Sequence, residues 1–155
     1  MSTRIISPAS SVYERVGYLV KQLQHALRGR MDEELRALQL STAQYALLSA
    51  IDAQSGSSGA DLARRCFITP QSVNGVISGL EQAKLISRTA SAEHGRIIKI
   101  ALSPSGRSRL KAAHRVVGDI EKRMLEGIDF DQHKKLAGLL RQCVDGLRKS
   151  QKSTR

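Results

Sequence analysis

The stretch from Thr69 to Leu102 reads as one capped helix running directly into a two-stranded hairpin, and that order narrows the fold more than any other part of the chain. Thr69 is a candidate N-cap, and Pro70 stands at the first helical position, where its missing N–H costs nothing and its φ is already suitable. Val73, Val76, Ile77 and Leu80 recur at i, i+3, i+4 and i+7, which gathers them into one apolar stripe. Gln71, Asn74, Gly75, Ser78 and Gln82 fall on the other side, a face that is polar yet uncharged. Gly75 and Gly79 are places where a partner can come close to the backbone. Glutamine and asparagine each donate to and accept from an adenine edge, and a serine hydroxyl adapts to any base. Thr69, Pro70, Gln71, Ser72, Asn74, Gly75 and Ser78 are therefore the candidates for reading bases. Polar faces are also ordinary on surface helices, so the helix alone leaves both readings open.

The hairpin shifts the balance. Leu85 and Ile86 lead into Ser87, Arg88 and Thr89; a polar Gly-bearing loop follows, and the β-branched run from Arg96 to Leu102 reads as the second strand. His94, Gly95 and Arg96 form the wing tip, where a guanidinium can enter a narrow minor groove of enhanced negative potential. Upstream, Ser58 with Asp61 at the third helical position starts a short helix with the stripe Leu62, Ala63 and Cys66, the first helix of a helix-turn-helix. Ser41 with Gln44 forms a capping box, Leu40 and Tyr45 fit a hydrophobic staple, and a helix to about Ala53 follows. Ser103-Pro104 opens a long helix carrying Leu110, Ala113, Val117, Ile120 and Met124, which Gly127 is placed to end. Asp129 with Gln132 opens the last helix, with Leu136, Leu139, Leu140, Cys143 and Leu147 on one side. At the amino end Val12, Val16, Leu19, Leu23, Leu27, Met31, Leu35 and Leu38 keep helical spacing, with Gly17 and Gly29 weakening it locally. The expected fold is mainly α (α+β), in the order ααααββαα.

These pieces resemble the MarR family of bacterial winged-helix regulators over nearly the whole chain. The resemblance rests on LSTAQYALLSAI at 40 to 51, ADLARRCFITPQSVNGVISGLEQAKLISR at 60 to 88, HGR at 94 to 96 and LSPSG at 102 to 106. It implies one domain over 1–155, with dimerisation helices at 10–38 and 104–148 and a winged-helix DNA-binding lobe at 40–103. It also implies an obligate homodimer that sets its recognition helices in successive major grooves of a palindromic operator and its wings in the flanking minor grooves. The family's wing usually carries Asp-x-Arg, and here His94 stands in place of the aspartate beside a retained Arg96. Gly75 occupies a position where relatives often have Arg or Lys, so bidentate guanine reading is not expected from this helix. Relatives often bind phenolic or aromatic carboxylate compounds in the crevice between dimerisation helices and winged helix, where Tyr18, Gln22, His25, Tyr45 and Leu48 are the candidates. Core packing is the favoured role for Tyr45 and Leu48, and water or packing for His25.

Composition agrees with a regulator. At 155 residues with 41% hydrophobic content the chain suits one domain with a core. No apolar run reaches the roughly 18 residues of a membrane span, and no signal-peptide core is present at the start, so the cytoplasm is expected and a membrane partner is not. The histidines are dispersed, no Cys/His cluster has metal spacing, and the serine-glycine run at 55–59 lacks a phosphate-loop ending, so neither cofactor, metal nor enzymatic activity is expected. Cys66 and Cys143 sit on apolar stripes and read as buried thiols. The net charge of +11 favours encounter with DNA, yet residues 107–155 hold thirteen Lys/Arg against six Asp/Glu, whereas residues 41–106 hold six against four. Within the winged helix Arg64, Arg65, Lys84, Arg88 and Lys99 are the phosphate candidates. The expected function is a homodimeric, sequence-specific regulator of double-stranded DNA, a repressor released by a small aromatic or acidic effector. A thiol redox sensor and a winged helix that binds protein rather than an operator are the alternatives. The wing carries its own test: Arg96→Ala should weaken operator binding and flatten its salt dependence, and titrations showing the same affinity and slope would remove the wing from the mechanism.

Overall fold

The computed structural model describes residues 11–90 and 98–152. Its elements are α1 (Val16–Leu35), α2 (Thr42–Ala53), α3 (Gly59–Arg65), α4 (Pro70–Gln82), β1 (Ile86–Ala90), β2 (Ile98–Leu102), α5 (Pro104–Met124) and α6 (Phe130–Lys152). Short 3-10 turns at Val12–Glu14 and Arg36–Leu38 flank α1. The order is the expected ααααββαα, and the chain divides between Ile120 and Glu121, inside α5, into two compact units.

Polar side chains fix the helix starts where the sequence places them. The Ser41 and Ser58 hydroxyls accept from the backbone N–H of Gln44 and Asp61, and both boxes are reciprocated by the side chain three residues on. Asp129 and Gln132 make the same exchange at the start of α6, at 2.8 and 3.1 Å. Each such cap is worth about 1 kcal/mol, because it satisfies N–H groups that the helix leaves without partners. Gly17 and Gly29 lie inside an uninterrupted α1. Past the end of α5, Gly127 takes a left-handed φ of 82°, a conformation glycine adopts without steric cost.

The core of the first unit gathers one residue or more from every element up to Ile120. Leu35, Leu47, Leu48, Ile51, Leu62, Val73 and Leu80 are essentially inaccessible, and Ile77, Ile86, Ile100, Leu102, Leu110, Ala113 and Val117 complete it. The apolar stripe on α1 is buried only near its carboxyl end. Met31 and Leu35 enter the core and Leu27 and Leu38 are half-buried, whereas Val12, Val16, Leu19, Val20 and Leu23 face outward. In α6, Leu139, Leu140, Val144 and Leu147 are exposed. Cys143 is exposed too, which corrects the expectation of a buried thiol. An apolar stripe in the sequence predicts burial against something, and here the described residues do not supply it.

One junction ties the recognition segment to the rest of the first unit. After α4 the chain reverses through Lys84, whose φ is 57°, and the N–H groups of Lys84 and Leu85 bond back to Glu81 and Leu80, both at 2.9 Å. The Lys84 carbonyl then accepts from the hydroxyls of Ser103 (2.7 Å) and Ser105 (2.8 Å), while Ser103 Oγ accepts from the Gly106 N–H at 2.9 Å and so caps α5. The Ser103 N–H closes the junction on the Leu85 carbonyl at 3.0 Å. A side chain at Gly106 would run into that same Leu85 carbonyl. Gly106→Ala should therefore destabilise the fold by about 2 kcal/mol or more through overpacking. In Gly118→Ala, whose added methyl meets nothing within 4 Å, the change should be neutral or stabilising. Urea unfolding of both variants checks this, and equal midpoints would refute the role given to Gly106.

Candidate nucleic-acid interface

The α3–α4 pair presents the polar face that the sequence outlines. Val73, Ile77 and Leu80 are buried, Val76 is half-buried, and Gln71, Ser72, Asn74, Gly75 and Ser78 are exposed. Thr69 caps the helix: its Oγ1 accepts from the Ser72 N–H at 3.1 Å and donates to Ser72 Oγ at 2.9 Å. The two hydroxyls at the helix start are thus tied to one another, which leaves Gln71, Asn74, Ser78 and, at the far end, Gln82 as exposed polar side chains of the face. Space is open around Gly75, where an added Cβ would meet nothing within 4 Å. Gly79 instead faces Gln44 of α2, whose Nε2 would lie 3.5 Å from an added Cβ, so it serves helix packing rather than the outer face.

The five cationic candidates prove to be unlike one another. Arg64 pairs with Asp61 on its own helix, and Arg65 donates to Gln54 Oε1 at 2.6 Å. The antiparallel ribbon pairs Ile86 with Leu102, Arg88 with Ile100 and Thr89 with Lys99. Because opposed residues share a face and faces alternate along a strand, Arg88 stands on the side of buried Ile86 and Ile100, and Lys99 on the outer side. Arg88 bends back to Glu81 near the end of α4 at 2.9 Å. Lys99 is exposed, its stem lying where a Cβ added at Gly56 would come within 3.6 Å of it, and Lys84 is exposed at the left-handed turn. His94, Gly95 and Arg96 lie outside the described residues.

Comparison with known proteins gives this geometry a family. The family model described as "MarR family" matches residues 38–97, which begin at the end of the 3-10 turn after α1 and take in α2, α3, α4 and β1. The "HTH-type transcriptional repressor Mb2911" of Mycobacterium bovis is 31% identical over 125 residues, covering 81% of this chain and 90% of the relative. The chain belongs to the MarR family. Among solved structures, the Mycobacterium tuberculosis MarR family protein Rv2887 in complex with salicylic acid is 30% identical, with a TM-score of 0.70 over 83% of this chain and 96% of that one. The transcriptional repressor CouR bound to a 23-mer DNA duplex is 25% identical, with a TM-score of 0.79 over 89% of this chain and 99% of that one.

The five effector candidates of this MarR-family chain are placed differently from one another. Leu48 is inaccessible, filling the core. Tyr45 is half-buried and its hydroxyl lies 3.0 Å from His114 Nδ1 on α5, with the rings edge to face. Tyr18, Gln22 and His25 are exposed on α1. Two residues escaped sequence reasoning. Phe67 holds a left-handed φ of 54° in the α3–α4 turn with its ring 86% exposed, and Arg28 faces a cavity beside it. An aromatic residue in a four-residue turn between capped helices, where glycine or asparagine is the inexpensive choice, was the available signal.

Two titrating groups bear on chemistry here. Burial pushes the Cys66 thiol up, against the opposing pull of Arg65, so it stays protonated at neutral pH and is a poor nucleophile. The Ser58 hydroxyl, then the Ser58 N–H, then Arg64 hold the Asp61 carboxyl below the usual carboxylate range. A folded value below the unfolded one contributes stability that is complete above the unfolded pKa of about 4 and is lost as the pH falls through the folded value. The stability difference between the parent and Asp61→Asn should accordingly be constant from pH 7 to about 5 and shrink below about pH 4. Urea unfolding at each pH reads this difference, and one that persists unchanged to pH 2 would rule the ionised box out.

Proposed function

We propose that this chain is a homodimeric transcriptional repressor that binds a palindromic DNA operator through α4 and the wing and is released by a small aromatic or acidic effector. The observation that carries the reading is the exposed, uncharged face of Gln71, Asn74 and Ser78, on a helix anchored from behind by Val73, Ile77 and Leu80, in a chain of this family. Those side chains suit the donor and acceptor pattern of adenine edges, and the face has no cation to hold guanine, so A/T-containing half-sites are its natural target. Thr69, Pro70, Ser72 and Gly75 shape the start of the helix and the close approach of its backbone. His94, Gly95 and Arg96 reach the minor groove, and Lys84 and Lys99, which have no ion pair among the described residues, meet phosphates, whereas Arg64, Arg65 and Arg88 exchange an internal partner for one.

Dimerisation follows from the apolar residues that α1 and α6 leave in water. Monomeric proteins rarely keep such stripes exposed, and a second copy offers the same stripes in return. Release follows if an effector favours a half-site separation other than one DNA turn, roughly 34 Å. The salicylic acid carried by the similar mycobacterial protein supports an aromatic acid as the class of effector. No helix of the described chain is long and apolar enough to cross a membrane, and the cytoplasm is the location that suits a DNA-binding role. A binding role, without catalysis, is the one we assign.

Selection from random duplexes with the purified full chain tests the proposal and should return an inverted repeat. On that site Asn74→Ala should cost on the order of 1 to 3 kcal/mol and relax preference at one base pair. An equal loss on every duplex would show that Asn74 reads no base, and failure to enrich any repeat would overturn operator binding in favour of a protein-interaction module.

A further inference from the structure

The outer face of α5 carries cations that folding does not explain. From Pro104 to Gly118 the helix has four Lys/Arg and no Asp/Glu, the first acid being Asp119. Arg107, Lys111 and Arg115 recur every four residues, so successive members turn only about 40° around the axis and climb about 6 Å along it. All three are exposed, away from buried Gly106, Leu110, Ala113 and Val117, and none has an ion pair among the described residues. Arg109, off this line, has a structural partner instead, its Nη1 donating to the Leu38 carbonyl at 2.5 Å.

Two electrostatic penalties mark this strip. Arg107 lies in the first turn, where the helix dipole presents its positive end and disfavours a cation. Arg107 with Lys111, and Lys111 with Arg115, are like charges at i and i+4, a spacing at which they repel across one turn. An anion laid along the face relieves both. The same face has no large apolar side chain, its other exposed members being Pro104, Ser108 and His114. A protein docking site is built around an apolar core, and membrane attachment on apolar side chains that enter the lipid; the strip offers neither. The backbone of duplex DNA, with one charge per roughly 1.7 Å of its axis, asks for cations alone.

The strip also leads away from the wing tip. The loop after α2 meets β2 through the Gly56 N–H on the Ile100 carbonyl at 3.2 Å, whereas the start of α2 meets α5 through the Tyr45 hydroxyl and His114 Nδ1 at 3.0 Å. The path from Ile98 through β2 into α5 thus runs along α2 from its end to its start, away from the side where residues 91–97 join the two strands. We propose that Arg107, Lys111 and Arg115 form a second DNA-binding strip, which holds the phosphate backbone of another duplex while α4 and the wing hold the operator, so that one dimer bridges two segments of DNA. The inference rests on the reading of α4 and the wing as the operator surface.

Lys111 is the lysine of the strip and reports on it through acetylation by acetic anhydride. In the full chain saturated with operator, a random-sequence duplex should slow acetylation of Lys111 at least fivefold, whereas the operator alone should leave it reactive. Beads carrying the operator and its bound chain should retain a labelled random duplex. The triple variant Arg107→Gln, Lys111→Gln, Arg115→Gln should lose that retention at least tenfold, with an operator Kd at about 0.15 M salt within threefold of the parent's, since exposed charges further off than a Debye length are screened. It should also melt at or above the parent temperature, because it removes repulsion; a lower melting temperature would return the three cations to a structural role. Lys134→Gln, Lys135→Gln, Arg141→Gln on α6 removes the same charge and should retain the duplex as the parent does, and equal loss in both triple variants would reduce the strip to net charge. Protection of Lys111 by the operator alone would make the strip part of the operator surface and overturn the second site. Poly-glutamate that protects Lys111 as well as the duplex does at equal charge would overturn DNA as the partner. Should no operator emerge from selection, the random duplex alone should still protect Lys111, and a duplex that leaves it reactive would overturn the strip independently of the operator reading.

Discussion

The winged helix depends on one backbone oxygen. The Lys84 carbonyl, turned outward by the left-handed residue that ends α4, is taken by two hydroxyls from the start of α5. Around it the end of a helix, the start of one strand, the end of the other and the start of the next helix are held within a few ångströms. A rotation of α4 about its axis would break these bonds, so the direction of its outer face is fixed by the junction as much as by the core stripe behind it. The LSPSG run is thus explained without appeal to DNA: two serines bind the turn, the proline opens α5, and the glycine gives the carbonyl room.

Local chemistry made much of this legible. Ser41, Ser58, Thr69 and Asp129 announce helix starts because the hydrogen bonds involved span three residues, and sequence spacing specifies such bonds completely. The order of helices and ribbon followed from the same signals. Spacing could not tell which cations are already occupied, because the partners of Arg65 and Arg88 lie on other elements and are brought near only by packing. It also could not tell that the stripes of α1 and α6 stay exposed in one chain, since periodicity reports an apolar face and not what covers it. Phe67 was missed for a related reason. A positive φ is a property of the turn's geometry, and the residue that occupies it is an exception to the composition such turns prefer.

Charge and specificity are separated in this protein. Most of the net positive charge lies after residue 106, whereas the helix proposed to read bases has none on its outer face. A distant positive field raises the rate of encounter with any duplex and does little to favour one sequence, while amides on a fixed helix discriminate between bases and attract weakly. The two functions then answer differently to salt, the first falling steeply and the second changing little.

The ion pair between Glu81 and Arg88 has a further consequence. It joins the last turn of α4 to the first strand of the ribbon, so the same guanidinium cannot serve the phosphate backbone until the carboxylate lets it go. In the proposed operator complex the glutamate would act as a tethered mimic of DNA, competing for the arginine at a local concentration that no dilution removes. Such a competitor lowers affinity for every duplex by the same factor, and it leaves a larger share of the remaining binding energy to contacts that depend on sequence.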